Sequence, residues 1–264
     1  MNEVRLLNEE RTKADTVNNP NMNIFSISIR EHLDCPADPS QGYFVEYQAT
    51  AEVTSDFGHY FCGPQEVSGA LCPNCRKPLL RFLALDTRDS RLNLQGCPSE
   101  TLSLLFCWTC NIAQEPFLYR ILADGVELLR YGRGGVEADF PYEGYPIFFP
   151  GARMTLRQMT AEEQHLIVLQ QSNLETEADA LARSNFAQQR PDLSEVRHQI
   201  GGEPFLMQPF SAPECPDCGV EMPFLASIGD DCLDVRGLVG EDGVQVMFQY
   251  CRRCHIVRVY QETD

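Results

Sequence analysis

Eight of the twelve cysteines fall into four C-x-x-C pairs, and the pairs form two sets. The second pair follows the first by 32 residues in one set and by 33 in the other. Thiolate sulfur is a preferred ligand of Zn²⁺, and two C-x-x-C turns together close a tetrahedron that leaves no open coordination position. The sequence therefore predicts two structural Zn²⁺ ions rather than catalytic ones. The predicted ligands are Cys72, Cys75, Cys107 and Cys110 for one ion, and Cys215, Cys218, Cys251 and Cys254 for the other.

Disulfides and a redox C-x-x-C motif are the alternatives for these cysteines. The start of the chain lacks the apolar run of a secretory signal peptide, and cytosolic thiols normally stay reduced. A redox motif occurs singly beside a βαβ pattern, not in fours. Zinc is therefore the preferred interpretation, and we expect a cytoplasmic protein. The other cysteines, Cys35, Cys62, Cys97 and Cys232, follow no pairing pattern and are expected to be core or surface thiols.

The chain is strongly acidic, with a formal net charge of −17 over 264 residues. This charge disfavours direct binding to nucleic acid, whose phosphates need neutralising cations, and to an anionic membrane surface. No apolar stretch approaches the length of a membrane span. An acidic surface favours a basic protein partner, and plain solubility is the simpler alternative.

Alternation of apolar and polar residues predicts a chain rich in β-structure. The longest alternation runs over 43–54, and Asp124-Gly125 predicts a hairpin turn. Each cysteine set has the order C-x-x-C pair, strand, loop, strand, pair and strand, so we expect an internal duplication. Shorter strands are expected at 25–29, 79–85, 102–106, 117–121, 222–226, 244–250 and 256–260.

The middle of the chain is expected to be helical. Thr160 and Glu163 form a capping-box sequence, and apolar residues from Leu174 to Phe186 recur at helical spacing. The preceding stretch, 140–150, is dense in aromatics and prolines, so it either packs between the two halves or offers a contact surface. The predicted fold class is α+β, mainly β, as an internally duplicated two-lobed fold. Its parts are a first β-rich zinc lobe at 1–135, a linker and helical segment at 136–192, and a second β-rich zinc lobe at 193–264.

Three segments of the second half resemble the YwqG-like family of bacterial proteins. The run 198–204, His-Gln-Ile-Gly-Gly-Glu-Pro, is similar to the family's H-x-hydrophobic-G-G-x-P signature. Residues 222–231 resemble a hydrophobic strand of the family, and 240–248 resemble a Gly-Asp segment that leads into a strand. The first copy lacks the G-G-x-P signature. This resemblance implies a pseudo-symmetric, β-rich fold. A similar layout with C-x-x-C knuckles occurs in the programmed-cell-death-2 proteins, chaperones for a basic ribosomal protein, which suggests the same kind of partner.

No catalytic motif stands out in the sequence. The predicted function is a non-enzymatic, zinc-stabilised module that binds a basic protein, either as a chaperone or as an immunity protein that neutralises a toxin. Two alternatives stay open. One is an enzyme with a site in a cleft between the lobes, using His198 and Asp230. The other is a zinc-ribbon nucleic-acid binder, which requires a continuous basic stripe.

Overall fold

A computed structural model describes residues 41–47, 56–107, 117–132, 146–169, 180–181, 184–185, 188–189, 198–206, 212–229 and 244–263. This part of the chain is mainly β, and its strand pairings are antiparallel. The strands are β1 (Tyr43–Tyr47), β2 (Tyr60–Phe61), β3 (Leu80–Asp86), β4 (Thr101–Phe106), β5 (Phe117–Leu122), β6 (Gly125–Arg130), β7 (Ala152–Gln158), β8 (Gln199–Ile200), β9 (Phe224–Ile228), β10 (Val244–Cys251) and β11 (Ile256–Thr263). The α-helix α1 spans Ala161–Leu169, and the described residues at 180–181, 184–185 and 188–189 are also helical.

The eleven strands form one sheet in the order β4-β3-β2-β7-β1-β8-β9-β10-β11-β5-β6. At its centre β1 pairs with β7, and on their outer sides β1 pairs with β8 and β7 pairs with β2. The strand that precedes β2 in the chain therefore pairs with β8, and the strand that precedes β8 pairs with β2. The β5–β6 hairpin lies beyond β11, far in the sheet from β4, which precedes it in the chain.

The strand predictions are confirmed in six places and incomplete in others. The expected strands correspond to β3, β4, β5, β9, β10 and β11, and the turn at Asp124-Gly125 joins β5 to β6. Of the predicted strand at 43–54 the structure describes β1, while 25–29 lies outside the described residues.

Three strands were not predicted. The strands β2 and β8 are two residues long, and β8 lies within the run 198–204. Both are too short to show an alternation. The strand β7 does alternate, because Ala152, Met154 and Leu156 are buried between more exposed residues, and this signal was overlooked.

One apolar core lies on one face of the sheet and collects residues from most of the strands. Along β10 every second residue enters this core, since successive strand side chains point to opposite faces. Several aromatic rings pack against one another there, including Phe82 against Phe248 and Phe106 against Phe117. The largest fully buried aromatic side chains are Tyr119, Tyr250, Phe61, Phe82, Phe106, Phe117, Phe149 and Phe248.

Tyr119 shows that the sheet curls. Its hydroxyl donates to Ser103 O at 3.0 Å and accepts from Leu105 N at 2.9 Å, so it satisfies backbone groups of β4. Tyr119 belongs to β5, nine positions away from β4 in the strand order. In a flat sheet nine spacings of about 4.8 Å would separate the two strands by roughly 43 Å. The hydrogen bonds therefore require the sheet to roll until β5 meets the edge of β4.

The helix α1 begins at the predicted capping box. Thr160 Oγ1 accepts from Glu163 N at 3.1 Å, and Glu163 Oε2 accepts from Thr160 N at 3.0 Å, which confirms that prediction. Ile167 packs with Phe44 and Met159 on the face of the sheet opposite the main core. Most of the helical prediction at 174–186 lies outside the described residues, and the two-lobe boundaries remain a prediction.

The hairpins β3–β4 and β9–β10 share one register, including an irregularity. In β3, Arg81 pairs with Leu105 and Leu83 with Leu104, so Phe82 is skipped. In β9, Phe224 pairs with Gln249 and Ala226 with Phe248, so Leu225 is skipped. A bulge of this kind re-aims side chains and bends the strand. Both hairpins thus bend at the same distance from their cysteines.

Candidate metal centres

The four cysteines of the second set lie together. The Sγ atoms of Cys215, Cys218, Cys251 and Cys254 are all within 4.8 Å of one another, and Cys218 Sγ is 3.7 Å from Cys251 Sγ. The first pair sits on the turn before β9, and the second on the turn between β10 and β11. Cys215 and Cys251 are buried, while Cys218 and Cys254 are half-buried. This second cluster could hold a metal ion.

The first set forms a similar group of three described cysteines. Cys72, Cys75 and Cys107 also meet the 4.8 Å limit, with 3.8 Å between the Sγ atoms of Cys75 and Cys107. Cys110, the predicted fourth ligand, lies outside the described residues. This first cluster could likewise hold a metal ion, and the role of Cys110 remains a prediction.

The first C-x-x-C pair of each set, Cys72–Cys75 and Cys215–Cys218, occupies a turn with the same backbone hydrogen bonds. Cys72 N donates to Lys77 O and Cys215 N donates to Val220 O, both at 2.8 Å. In each turn the residue after the second cysteine donates back to the first cysteine's carbonyl and has a left-handed φ. These residues are Arg76 with φ 62° and Gly219 with φ 67°. The same turn recurs at Cys251, where His255 has φ 56°.

The β5–β6 hairpin packs against the second cluster. Leu118 and Leu129 lie with Met222 and Ile256 around the four sulfurs. Arg120 of the same hairpin donates to Asp217 Oδ2 at 2.6 Å, inside the C-x-x-C turn, and to Glu127. Residues that precede β7 in the chain therefore cover a cluster formed by cysteines that follow it.

The thiols of the second cluster have divergent acidities. A hydrogen bond from the Val220 N–H lowers the pKa of Cys218 to about 7, whereas burial and neighbouring sulfurs raise the pKa of Cys254 to about 12. In the first cluster, hydrogen bonding from Cys107 lowers the pKa of Cys72 to about 5. Crowded thiols of this kind cannot all ionise together without a cation to offset their repulsion. A bound dication would provide that offset.

Two histidines occupy corresponding places beside the hairpins. His59 Nδ1 accepts from Asp86 N, and His198 Nδ1 accepts from Gly229 N, both at 3.1 Å. Each Nε2 therefore carries the proton and donates, from His59 to Asp89 Oδ2 at 2.8 Å and from His198 to the Tyr47 hydroxyl at 3.3 Å. Both rings thus serve local structure. Burial lowers the pKa of His59.

His59 was missed in the sequence, although a signal was present. His59 stands two residues before Phe61 and four before Gly63, as His198 stands before Ile200 and Gly202. Cys62 stands where the run 198–204 has Gly201 and hides the match, yet its φ of 51° is left-handed like that of Gly201. Asp230, the other residue of the enzymatic alternative, lies outside the described residues.

The glycine four residues after each histidine lies against a second glycine: Gly202 against Gly42, and Gly63 against Gly151. A Cβ on Gly202 would lie 2.7 Å from Gly42 Cα, and a Cβ on Gly151 would lie 2.6 Å from Gly63 Cα. Real Cβ atoms do not approach so closely, so the chain crosses here because both partners lack a side chain. Within the run 198–204, Gly202 therefore shapes a close crossing of two chain segments.

The surfaces of the Cys72–Cys75 turn and the Cys215–Cys218 turn differ in charge. Around Cys215 the exposed residues Glu214, Asp217 and Glu221 are acidic, and Glu214 stands directly opposite Glu221 in an antiparallel bridge. The corresponding bridge of the first turn joins Leu71 to Pro78, beside the exposed cations Arg76 and Lys77. One turn is therefore acidic and the other is apolar and basic.

Comparison with known proteins gives no assignment: no family model, no curated protein and no solved structure matches the chain. Among the described residues, α-helices are all too short or too polar to cross a bilayer.

Proposed function

We propose that the protein is a non-enzymatic, cytoplasmic binding module, stabilised by two structural Zn²⁺ ions, that engages a basic protein partner. The observation that carries the proposal is the pair of cysteine clusters. Around a tetrahedral zinc with Zn–S bonds near 2.3 Å, neighbouring sulfurs stand about 3.8 Å apart. The Sγ separations of 3.8 Å and 3.7 Å match that value. Four thiolates leave no site for substrate on the metal.

The fold is proposed to have arisen by duplication, with exchange of one strand. Support comes from the shared register and bulge of the two hairpins, from the equivalent Nδ1 contacts of the two histidines, and from the two glycine crossings. The first repeat would comprise β1–β5 and the second β7–β11. In this arrangement β1 and β7 trade places, which ties the repeats together.

The acidic turn around Cys215 is the proposed contact for the basic partner. Like charges directly opposite each other on paired strands are destabilising, so the Glu214–Glu221 pair is not explained by stability. A cationic side chain from a partner would relieve this repulsion. The net charge of −17 adds long-range attraction for a basic protein.

The test combines metal counting with partner capture. Native mass spectrometry of protein purified without chelators should show two zinc ions for each chain. Affinity capture from the native host should then recover a basic protein whose binding weakens as salt is raised. A purified protein with fewer than two zinc ions, or one that recovers no basic partner, would refute the proposal.

A matched pair of variants locates the contact. Replacing Glu214 and Glu221 by Gln removes two charges at the acidic turn, and replacing Glu100 and Glu162 by Gln removes two exposed charges elsewhere. The first variant should weaken the captured complex about tenfold or more and lower its salt dependence, since two charge pairs are lost. Equal weakening in both variants would mean that only the net charge matters.

A further inference from the structure

The face of β9–β11 opposite the main core is buried and polar. On β10 the core takes Val244, Val246, Phe248 and Tyr250, so the intervening side chains point the other way. These are Gln245, Met247 and Gln249, all 0% exposed. They stand opposite Glu262, Tyr260 and Arg258 of β11, and Met247 stands opposite Ser227 of β9.

Buried polar atoms without a hydrogen-bond partner cluster on this face. In the described part of the chain they include Ser227 Oγ, Gln245 Oε1, Gln249 Nε2 and Arg258 Nε. Buried polar side chains in native proteins normally find a partner, and each exception needs an explanation. Four exceptions on three adjacent strands indicate one common cause rather than four separate ones.

Amide orientation does not supply that cause. Gln245 Nε2 donates to Phe205 O at 2.9 Å and to Glu262 Oε2 at 2.7 Å. Rotating this amide would put its oxygen against a carbonyl and a carboxylate. Gln249 Oε1 accepts from Arg258 NH1 at 2.6 Å, so rotation would put an NH₂ group against a guanidinium. Both orientations are therefore fixed, and the free atoms stay free.

The free atoms form two ends with different chemistry. At one end Gln249 Nε2 and Arg258 Nε are donors, and the Ser227 hydroxyl lies between the two ends, since Ser227 stands opposite Met247. Arg258 has no carboxylate within 4.0 Å among the described residues, and its guanidinium lies over the Tyr260 ring at 4.8 Å. At the other end Gln245 Oε1 is an acceptor beside the carboxylate of Glu262. Four residues of strand, about 13 Å, separate Gln245 from Gln249.

We propose that this face binds a small peptide-like carboxylate. Its carboxylate would accept from Gln249 and Arg258, and an N–H group farther along would donate to Gln245. Ser227 would contact the middle of the molecule. A free short peptide and the carboxyl terminus of a protein share this chemistry. The site is independent of the cysteine clusters and of the acidic turn.

The electrostatics of Arg258 agree with an anionic ligand. Burial lowers the pKa of Arg258, and the positive charge of Arg130 acts in the same direction. An anion beside the guanidinium would stabilise its charged form. Charge-assisted hydrogen bonds of this type are stronger than those between neutral groups.

Thermal unfolding and calorimetry with defined probes test the proposal on the zinc-loaded full chain. The probes are trialanine with a free carboxylate, trialanine carboxamide, and acetate. Trialanine should raise Tm and bind with measurable heat, while the carboxamide should bind at least tenfold more weakly. Acetate should act weakly, because it lacks the N–H group. A carrier protein that ends in three alanines, used as a competitor, then distinguishes a protein terminus from a free peptide.

Matched variants connect the effect to this face. Arg258→Met and Gln249→Leu should abolish the shift in Tm, whereas Arg153→Met and Gln158→Leu, at exposed positions of β7, should retain it. Ser227→Ala serves if the larger changes prevent folding, and it should weaken trialanine binding severalfold. The absence of any shift with trialanine, or a shift that persists in Arg258→Met and Ser227→Ala, would overturn the proposal and leave only buried water on this face.

Discussion

The two cysteine clusters share a backbone but differ in their surroundings. The first turn has Arg76 where the second has Gly219, and exposed cations where the second has exposed acids. The β5–β6 hairpin packs its leucines on the second cluster, while Cys72 and Cys107 join the main core. The two turns therefore have the same backbone conformation and hold their sulfurs alike, although the side chains around them differ.

Removing one ligand at a time should produce the largest effects. We expect Cys215→Ser and Cys72→Ser each to lower the zinc content from two ions to one, with a large loss of Tm. Structural zinc contributes roughly 10–16 kcal/mol in small peptides, so losing a ligand removes much of the stabilisation. Native mass spectrometry and calorimetry measure both. Cys97→Ser, outside either cluster, is the control, and two zinc ions in every variant would contradict the assignment.

The contacts of His59 and His198 should differ in strength. Asp89 is fully buried and accepts from His59 and from Arg91, whereas His198 Nε2 donates to the neutral hydroxyl of Tyr47. Asp89→Ala leaves buried donors unpaired and should cost about 3–5 kcal/mol. Tyr47→Phe loses one neutral hydrogen bond and should cost about 1 kcal/mol. Urea denaturation of both variants measures the difference, and equal costs would show that the two sites are energetically equivalent.

The two glycine crossings should also respond unequally. A Cβ on Gly202 meets Gly42 Cα at 2.7 Å, but a Cβ on Gly63 meets no backbone atom closer than 3.3 Å. Both have positive φ, so Gly63→Ala should cost about 1–2 kcal/mol and Gly202→Ala about 2–4 kcal/mol. Gly96→Ala is the control, since φ is positive there and no atom lies within 4 Å. Denaturant midpoints test the order, and a reversed order would refute it.

The smallest expected effect is at the residue that follows the second cysteine of these turns, Arg76 after Cys75 and Gly219 after Cys218. Arg76 has φ 62° at the place where the Cys215–Cys218 turn has Gly219, so Arg76→Gly should stabilise the protein by about 1 kcal/mol. Gly219→Arg should destabilise it by a similar amount, because no atom lies within 4 Å of its Cβ and only the backbone is strained. Lys77→Gly, next in the chain, controls for added flexibility. Measurements by urea denaturation with zinc present should show opposite signs for the first two variants.

Much of the fold followed from local patterns. Alternation located the strands at 244–250 and 256–260, and spacing alone grouped the cysteines that the structure brings together. Both signals are local, because side-chain direction alternates along any strand and a C-x-x-C turn needs only a few residues. The capping box at Thr160 is local in the same sense, and its two hydrogen bonds are present.

Other features of the molecule depend on residues that are distant in sequence. His59 gains its role only when Asp86 and Asp89 surround it, and the polar face behind β10 appears only when the strands pair in register. No local pattern specifies that β1 pairs with β7 and β8 while β7 pairs with β2.

The sequence by itself determined six of the strands, since side-chain alternation depends on neighbours a few positions away, and its repeated spacing grouped the seven described cysteines that the structure brings together. The tertiary structure alone decided which strand lies beside which, what covers each cluster, and which buried polar atoms lack a partner. The physical reason is that pairing and burial are set by the packing of distant segments, and the free energy of that packing is shared among all of them.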